Sequence, residues 1–189
     1  AYYDKSGAMR DMVQNHLMQL LCLSAMEPPA TFDAESVRDE KLKVIKALDP
    51  VLAPDVVRGQ YRADKRGTSY QDESGNPDSV TESYIALKVN LSNWRWQGTP
   101  FYLRTGKKLR SRVSEIAIVF KDPPHSIFTD SQDLKGNVLT IRLQPDEGMR
   151  LFMQVKEPGP GGLRLKSLPL NLSYAENFEL RYPDAYERL

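Results

Sequence analysis

The chain has 189 residues, 40% hydrophobic and 27% charged, which is ordinary for a soluble globular protein with a sizeable core. A formal net charge of +1 excludes a general field that would draw it to nucleic acid or to an anionic membrane, so any anion site must be local. No stretch approaches the roughly 20 apolar residues that span a bilayer, no basic-then-apolar leader opens the chain, and the single cysteine, Cys22, rules out an internal disulfide and suits a reducing compartment, by default the cytoplasm.

The first element is a long helix expected to start near Ser6 or Gly7, because Met9, Met12, Val13, Leu17, Leu20, Leu21 and Ser24 recur at three- and four-residue steps. Pro28 and Pro29 end it. A second helix follows in DAESVRDEKLKVIKALDP, with Asp33 as N-cap, Val37, Leu42, Ile45 and Leu48 as the apolar side, and Pro50 as the stop. Its charges read as a solvated face.

From Val56 the pattern changes to segments rich in β-branched and aromatic residues: VVRGQY, TESYIALKVNLSNWRW, PFYLRTG, VSEIAIVFK, NVLTIRLQP, GMRLFMQVKEPG and LRLKSLPLNLSY. Val138, Thr140, Arg142 and Gln144 alternate with Leu139, Ile141 and Leu143, as in a sheet with one covered face and one free face. The expected fold is α+β: one domain, with a large, mainly antiparallel sheet, helices on one face and the other face free. The polar stretch ADKRGTSYQDESGNPDS reads as a mobile surface loop, and EPGPGGL as a turn.

His16 is the first candidate for chemistry, since an imidazole titrates near neutral pH and accepts a proton at modest cost. On an α-helix Met12 and Leu20 would be its neighbours, while Asp11, five residues back, would lie roughly 140° around the axis and flank it without pairing. The bland reading is a boundary histidine bonded to a carbonyl. His125, in KDPPHSIF, reads as a surface residue, and two histidines with one cysteine at these spacings make no metal-ligand set. In YLRTGKKLRSR, Gly106 would let the backbone turn ahead of Lys107, Lys108, Arg110 and Arg112, which fits either a phosphate contact or a solvated hairpin tip. A nucleic-acid patch there lacks interleaved aromatics. Trp94 and Trp96 in WRWQGTPF would share one face of a strand and serve packing or subunit contact. Arg142 and Gln144 also share a face, which allows ligand contact.

Taken in order, YYDKSGAMRDMVQNHLMQLL, SAMEPP, RDEKLKVIKAL, VRGQY, NWRWQGTPFYLRTGKKL, LTIRLQPDEG and DAYERL resemble the C-terminal domain of the glucose-6-phosphate dehydrogenase family. RDMVQNHL and PFYLRTGKKL carry the most specific part of that resemblance. It implies that His16 is the general base and that Asp11 holds sugar hydroxyls. It further implies that Lys107 contacts substrate, that Arg112 is a second basic contact and that Gln144 lies near the sugar. The implied activity is NADP-dependent oxidation of glucose 6-phosphate to 6-phosphogluconolactone, the first step of the pentose phosphate pathway, by a homodimer joined through the sheet.

The same resemblance marks the chain as one part of a longer enzyme, without the N-terminal dinucleotide-binding domain that would hold most of the NADP, and with the helix expected after DAYERL cut short. Such a piece is expected to be inactive alone. Arg104 and Arg142 match positions that contact a structural NADP in some members, whereas Val113 and Ala117 stand where further basic residues are expected. The alternative reading is a non-catalytic assembly or sugar-phosphate-binding module.

Overall fold

A computed structural model describes residues 2–65, 67–125, 136–160 and 164–177. Two compact units divide the chain at Leu109 and Arg110. The class is α+β, as expected, and its strands form two antiparallel sheets, one of three strands and one of four.

The first unit opens with α1 (Tyr2–Ala8), which is broken at Gly7, where φ is +72° and ψ 173°. The helical path therefore begins earlier than the apolar spacing indicated and restarts at Ala8. Residues Met9–Leu17 then form a π-helix, and α2 runs Met18–Ala25. Ser24 leaves the expected buried stripe: it is exposed, and its hydroxyl donates to the Leu20 carbonyl at 2.7 Å. Helix α3 (Ala34–Lys46) is capped as expected, Asp33 Oδ1 accepting from the backbone N–H groups of Glu35 and Ser36 at 3.0 Å each. Its inward residue is Val44, 3% exposed, while Leu42 and Ile45 face solvent at 47% and 42%. Val44 joins Cys22, Ala25 and Leu91 in one apolar cluster against which Leu48 of the assigned stripe also packs, while Leu42 and Ile45 turn away from it.

Strand β1 (Val56–Gly59) pairs with β2 (Tyr84–Val89), which pairs with β3 (Phe101–Gly106). β2 alternates strictly, burying Ile85, Leu87 and Val89 against Ala8, Val13 and Leu21 of the helical segment. Each such side chain contributes roughly 1.5–3 kcal/mol on burial.

Two expectations fail here for local reasons. The stretch at 63–79 is not a bare loop: it contains α4 (Tyr70–Ser74), started by a capping box between Ser69 and Asp72 and ended by Gly75 in the left-handed conformation. Tyr70 is buried. The tryptophans lie in a turn instead of a strand, because Asn93 Oδ1 accepts the Trp96 N–H at 2.9 Å and Gly98 supplies a φ of +79°. Trp94 is fully exposed, whereas Trp96 packs edge-to-face on Phe101 at 5.1 Å and donates its indole N–H to the Ala25 carbonyl.

The second unit is a meander of β4 (Ser114–Val119), β5 (Val138–Gln144), β6 (Gly148–Lys156) and β7 (Leu165–Ser173), followed by α5 (Tyr174–Asn177). Register places Leu168, Leu170 and Leu172 opposite Met153, Leu151 and Met149, and these opposite-strand pairs share one face of the sheet. Glu157 donates its N–H to the Arg164 carbonyl at 2.8 Å across the EPGPGGL connection, whose residues 161–163 lie outside the described residues, as does DAYERL. Among the described residues no helix is long and apolar enough to cross a membrane.

Candidate active site

The π-helix changes the relation between the two residues singled out around it. In an α-helix Asp11 and His16 would diverge; here backbone bonds reach five residues, as when the Met18 N–H donates to Val13, and Asn15 Nδ2 likewise reaches the Arg10 carbonyl at 3.3 Å. Residues five apart thus sit one wide turn apart on the same side of the segment. Asp11 is half-buried and His16 exposed, so the pair presents a carboxylate and an imidazole to solvent from one edge.

What starts this segment is Glu82, just before β2. Its backbone carbonyl accepts the Ala8 N–H at 3.0 Å and its carboxylate accepts the Met9 N–H at 2.9 Å, placing a negative charge at the positive end of the helix. Gly7 makes room for it: a Cβ there would stand 2.7 Å from Glu82 Oε1.

Asp4 ties the front of α1 to the 69–81 region. Its carboxylate accepts from Ser79 Oγ, from Asn76 Nδ2 at 3.0 Å and from the Tyr70 hydroxyl at 3.0 Å; the serine and asparagine bonds, in that order, do most to hold its pKa below the usual carboxylate value. Tyr3 then packs edge-on to Tyr70 at 6.3 Å, and Tyr70 edge-on to Tyr61 at 5.6 Å. Burial first, then the negative charges of Asp11 and Glu82, push the Tyr3 hydroxyl up to about 12.

Lys107 reaches this group from β3, its Nζ 3.7 Å from the Tyr3 ring centroid. Gly106 does not supply the turn expected of it. It supplies close packing, since a Cβ would lie 2.7 Å from Tyr84 Cδ2, and the reversal falls instead on Lys108, with φ +55°. Arg112 and Gln144, in the second unit, are exposed and half-buried respectively. His125 is exposed. A depression of about 800 Å³ lined by Arg58, Gln60, Tyr61, Arg62 and Glu82 is not lined by His16, Asp11 or Lys107.

A dinucleotide finds no cradle in the described residues. Helices α3 and α4 carry the carboxylates Asp33 and Asp72 at their N-termini, where a phosphate would need free N–H groups. Arg142 Nη2 lies 3.7 Å from Glu115 Oε2 in the second unit, and Arg104 is on β3 of the first.

The residues that sequence reasoning missed are Tyr3, Gly7 and Glu82. Only the glycine left a signal, as one of the two residues at which the first helix was expected to start.

The first unit carries Asp11 and His16 on the π-helix and Lys107 over the Tyr3 ring. The family model for the C-terminal domain of glucose-6-phosphate dehydrogenase matches residues 1–189. Glucose-6-phosphate 1-dehydrogenase of Rhizobium meliloti is 55% identical over 197 residues, covering 100% of this chain and 40% of that protein. That of Mycolicibacterium smegmatis is 52% identical with the same coverage. A solved glucose-6-phosphate dehydrogenase in complex with its substrate glucose-6-phosphate superimposes with a TM-score of 0.88 at 40% identity, over 98% of this chain and 38% of that one. The chain belongs to the glucose-6-phosphate dehydrogenase family, as its C-terminal domain. It spans about 40% of the length of the curated relatives it matches.

Proposed function

We propose that this chain is the substrate-binding, base-bearing and dimerisation domain of an NADP-dependent glucose-6-phosphate 1-dehydrogenase acting in the cytoplasm at the first step of the pentose phosphate pathway. The observation that carries the reading is the family match over the full chain, joined to the placement of Asp11 and His16 on one side of the π-helix.

His16 accepts the proton of the C1 hydroxyl of glucose 6-phosphate as 6-phosphogluconolactone forms, which needs a solvent-facing imidazole. Asp11 accepts hydrogen bonds from sugar hydroxyls, and Lys107 donates to the substrate. Arg112 and Gln144 are further contacts on their motif positions alone. NADP, held mainly by another part of the enzyme, supplies the hydride acceptor. The full-length protein is expected to reduce NADP only when glucose 6-phosphate is added; absence of that dependence overturns the reading.

The partner is a second copy of the chain, joined through the sheet. Leu168, Leu170 and Leu172 are 44%, 64% and 44% exposed on a face they share with Met149 and Val155. Light scattering on the full-length protein is expected to give a dimer mass, and Leu170→Asp to give the monomer. A monomeric wild type, or a variant that stays dimeric, removes this assignment.

A further inference from the structure

Two consecutive lysines follow β3, and they do different work. We propose that Lys108 is a positioning residue that holds Lys107 for the substrate, an inference resting on the reading of Lys107 as a substrate contact.

The left-handed backbone at Lys108 sends the two side chains apart. Lys107, fixed by its N–H donating to the Ser83 carbonyl at 2.8 Å, lies over Tyr3; Lys108 lies over Tyr61 at 4.5 Å. Tyr3, Tyr70 and Tyr61 form one continuous edge-to-face stack, so the tandem lysines grip its two ends. Lys108 also pairs with Glu73 of α4. Glu73 is held in turn by the Tyr61 hydroxyl at 2.8 Å and by Thr68 Oγ1 at 3.1 Å. Lys108 and Tyr61, in that order, hold the Glu73 carboxyl below its ordinary range, so it stays charged.

The charges are therefore unequal in what they offer. Lys108 is matched by a carboxylate and fully used within the protein. Lys107 rests on the neutral face of a tyrosine, which takes one side of an ammonium and leaves its other N–H donors for substrate oxygens. A carboxylate in that place would compete with a phosphate or hydroxyl oxygen. The clamp at Lys108 fixes the backbone turn from which Lys107 projects, and preorganisation of this kind acts on binding before it acts on chemistry.

The test uses steady-state kinetics of the full-length enzyme. Lys108→Met keeps the stem, and as another Cβ-bearing residue leaves the backbone preference at φ +55° unchanged, while removing the charge. It is expected to raise KM for glucose 6-phosphate about three- to tenfold with kcat within about twofold, in line with loss of an exposed ion pair and a cation–π contact. Glu73→Gln is expected to move KM the same way, and Lys108→Arg to keep it within about twofold. A lower Tm with wild-type KM in Lys108→Met and Glu73→Gln would mean a purely structural ion pair, and overturns the proposal. Lys107→Met separates the two levels: if it too leaves KM unchanged, the substrate role of Lys107 fails first and the clamp has nothing to position.

Discussion

His16→Asn in the full-length enzyme is expected to lower kcat by about 10²–10⁴ while KM for glucose 6-phosphate moves little. Asparagine keeps a polar side chain of similar reach but cannot accept and hold a proton, so substrate binding through Asp11 and Lys107 survives and the proton transfer does not. The exposure of His16 matters to how the result is read. A buried histidine could lose activity by unfolding; His16 is exposed, and an unchanged Tm beside a large fall in kcat isolates the chemistry. If kcat stays within a few-fold, His16 is a surface residue, and the non-catalytic assembly or sugar-phosphate-binding module becomes the better account.

The sequence made some of this legible and concealed the rest for identifiable reasons. Asp33 followed by an amphipathic run is a local signal, and the cap forms as read. The strand segments were legible through apolar alternation that matches a half-buried strand, as in Tyr84–Val89, where Ile85, Leu87 and Val89 are buried. The π-helix was not legible: Val13, Leu17 and Leu21 recur every four residues, a spacing that both helix types tolerate, so nothing in the apolar stripe revealed that Asp11 and His16 share a side. The alternation in NWRW mimicked a strand, yet its bracketing Asn93 and Gly98 were turn residues, and the side-chain bond from Asn93 prevailed. At Ser69 the capping box was present in the letters, and the surrounding Asp, Ser and Gly residues hid a helix held by Tyr70. Resemblance located His16, Asp11 and Lys107. It could not show that a tyrosine stack supports the lysine, because Tyr3, Tyr61 and Tyr70 meet only in the folded chain.

Gly7→Ala is expected to destabilise the enzyme by about 2–4 kcal/mol and to raise KM, through two separate effects at one atom. With φ +72° and ψ 173°, Gly7 occupies backbone space that is essentially glycine-only, and an alanine forced into it costs about 1–3 kcal/mol. Its methyl would also meet Glu82 Oε1 at 2.7 Å and Cδ at 2.9 Å. Glu82 cannot withdraw freely, because its carboxylate accepts the Met9 N–H and its carbonyl the Ala8 N–H. Displacing it loosens the first turn of the π-helix, which carries Asp11. Gly75→Ala is the internal control: φ there is +70°, but nothing lies within 4 Å of the added carbon, so only the milder left-handed strain of about 1–2 kcal/mol applies. Thermal unfolding of both variants, with kinetics on the folded protein, separates the effects. A larger fall in Tm for Gly7→Ala with raised KM, against a smaller fall and wild-type KM for Gly75→Ala, places Glu82 and Gly7 in control of the helix start. Equal falls with KM unchanged in both would show that the start of the π-helix tolerates displacement and that Asp11 is positioned by other contacts.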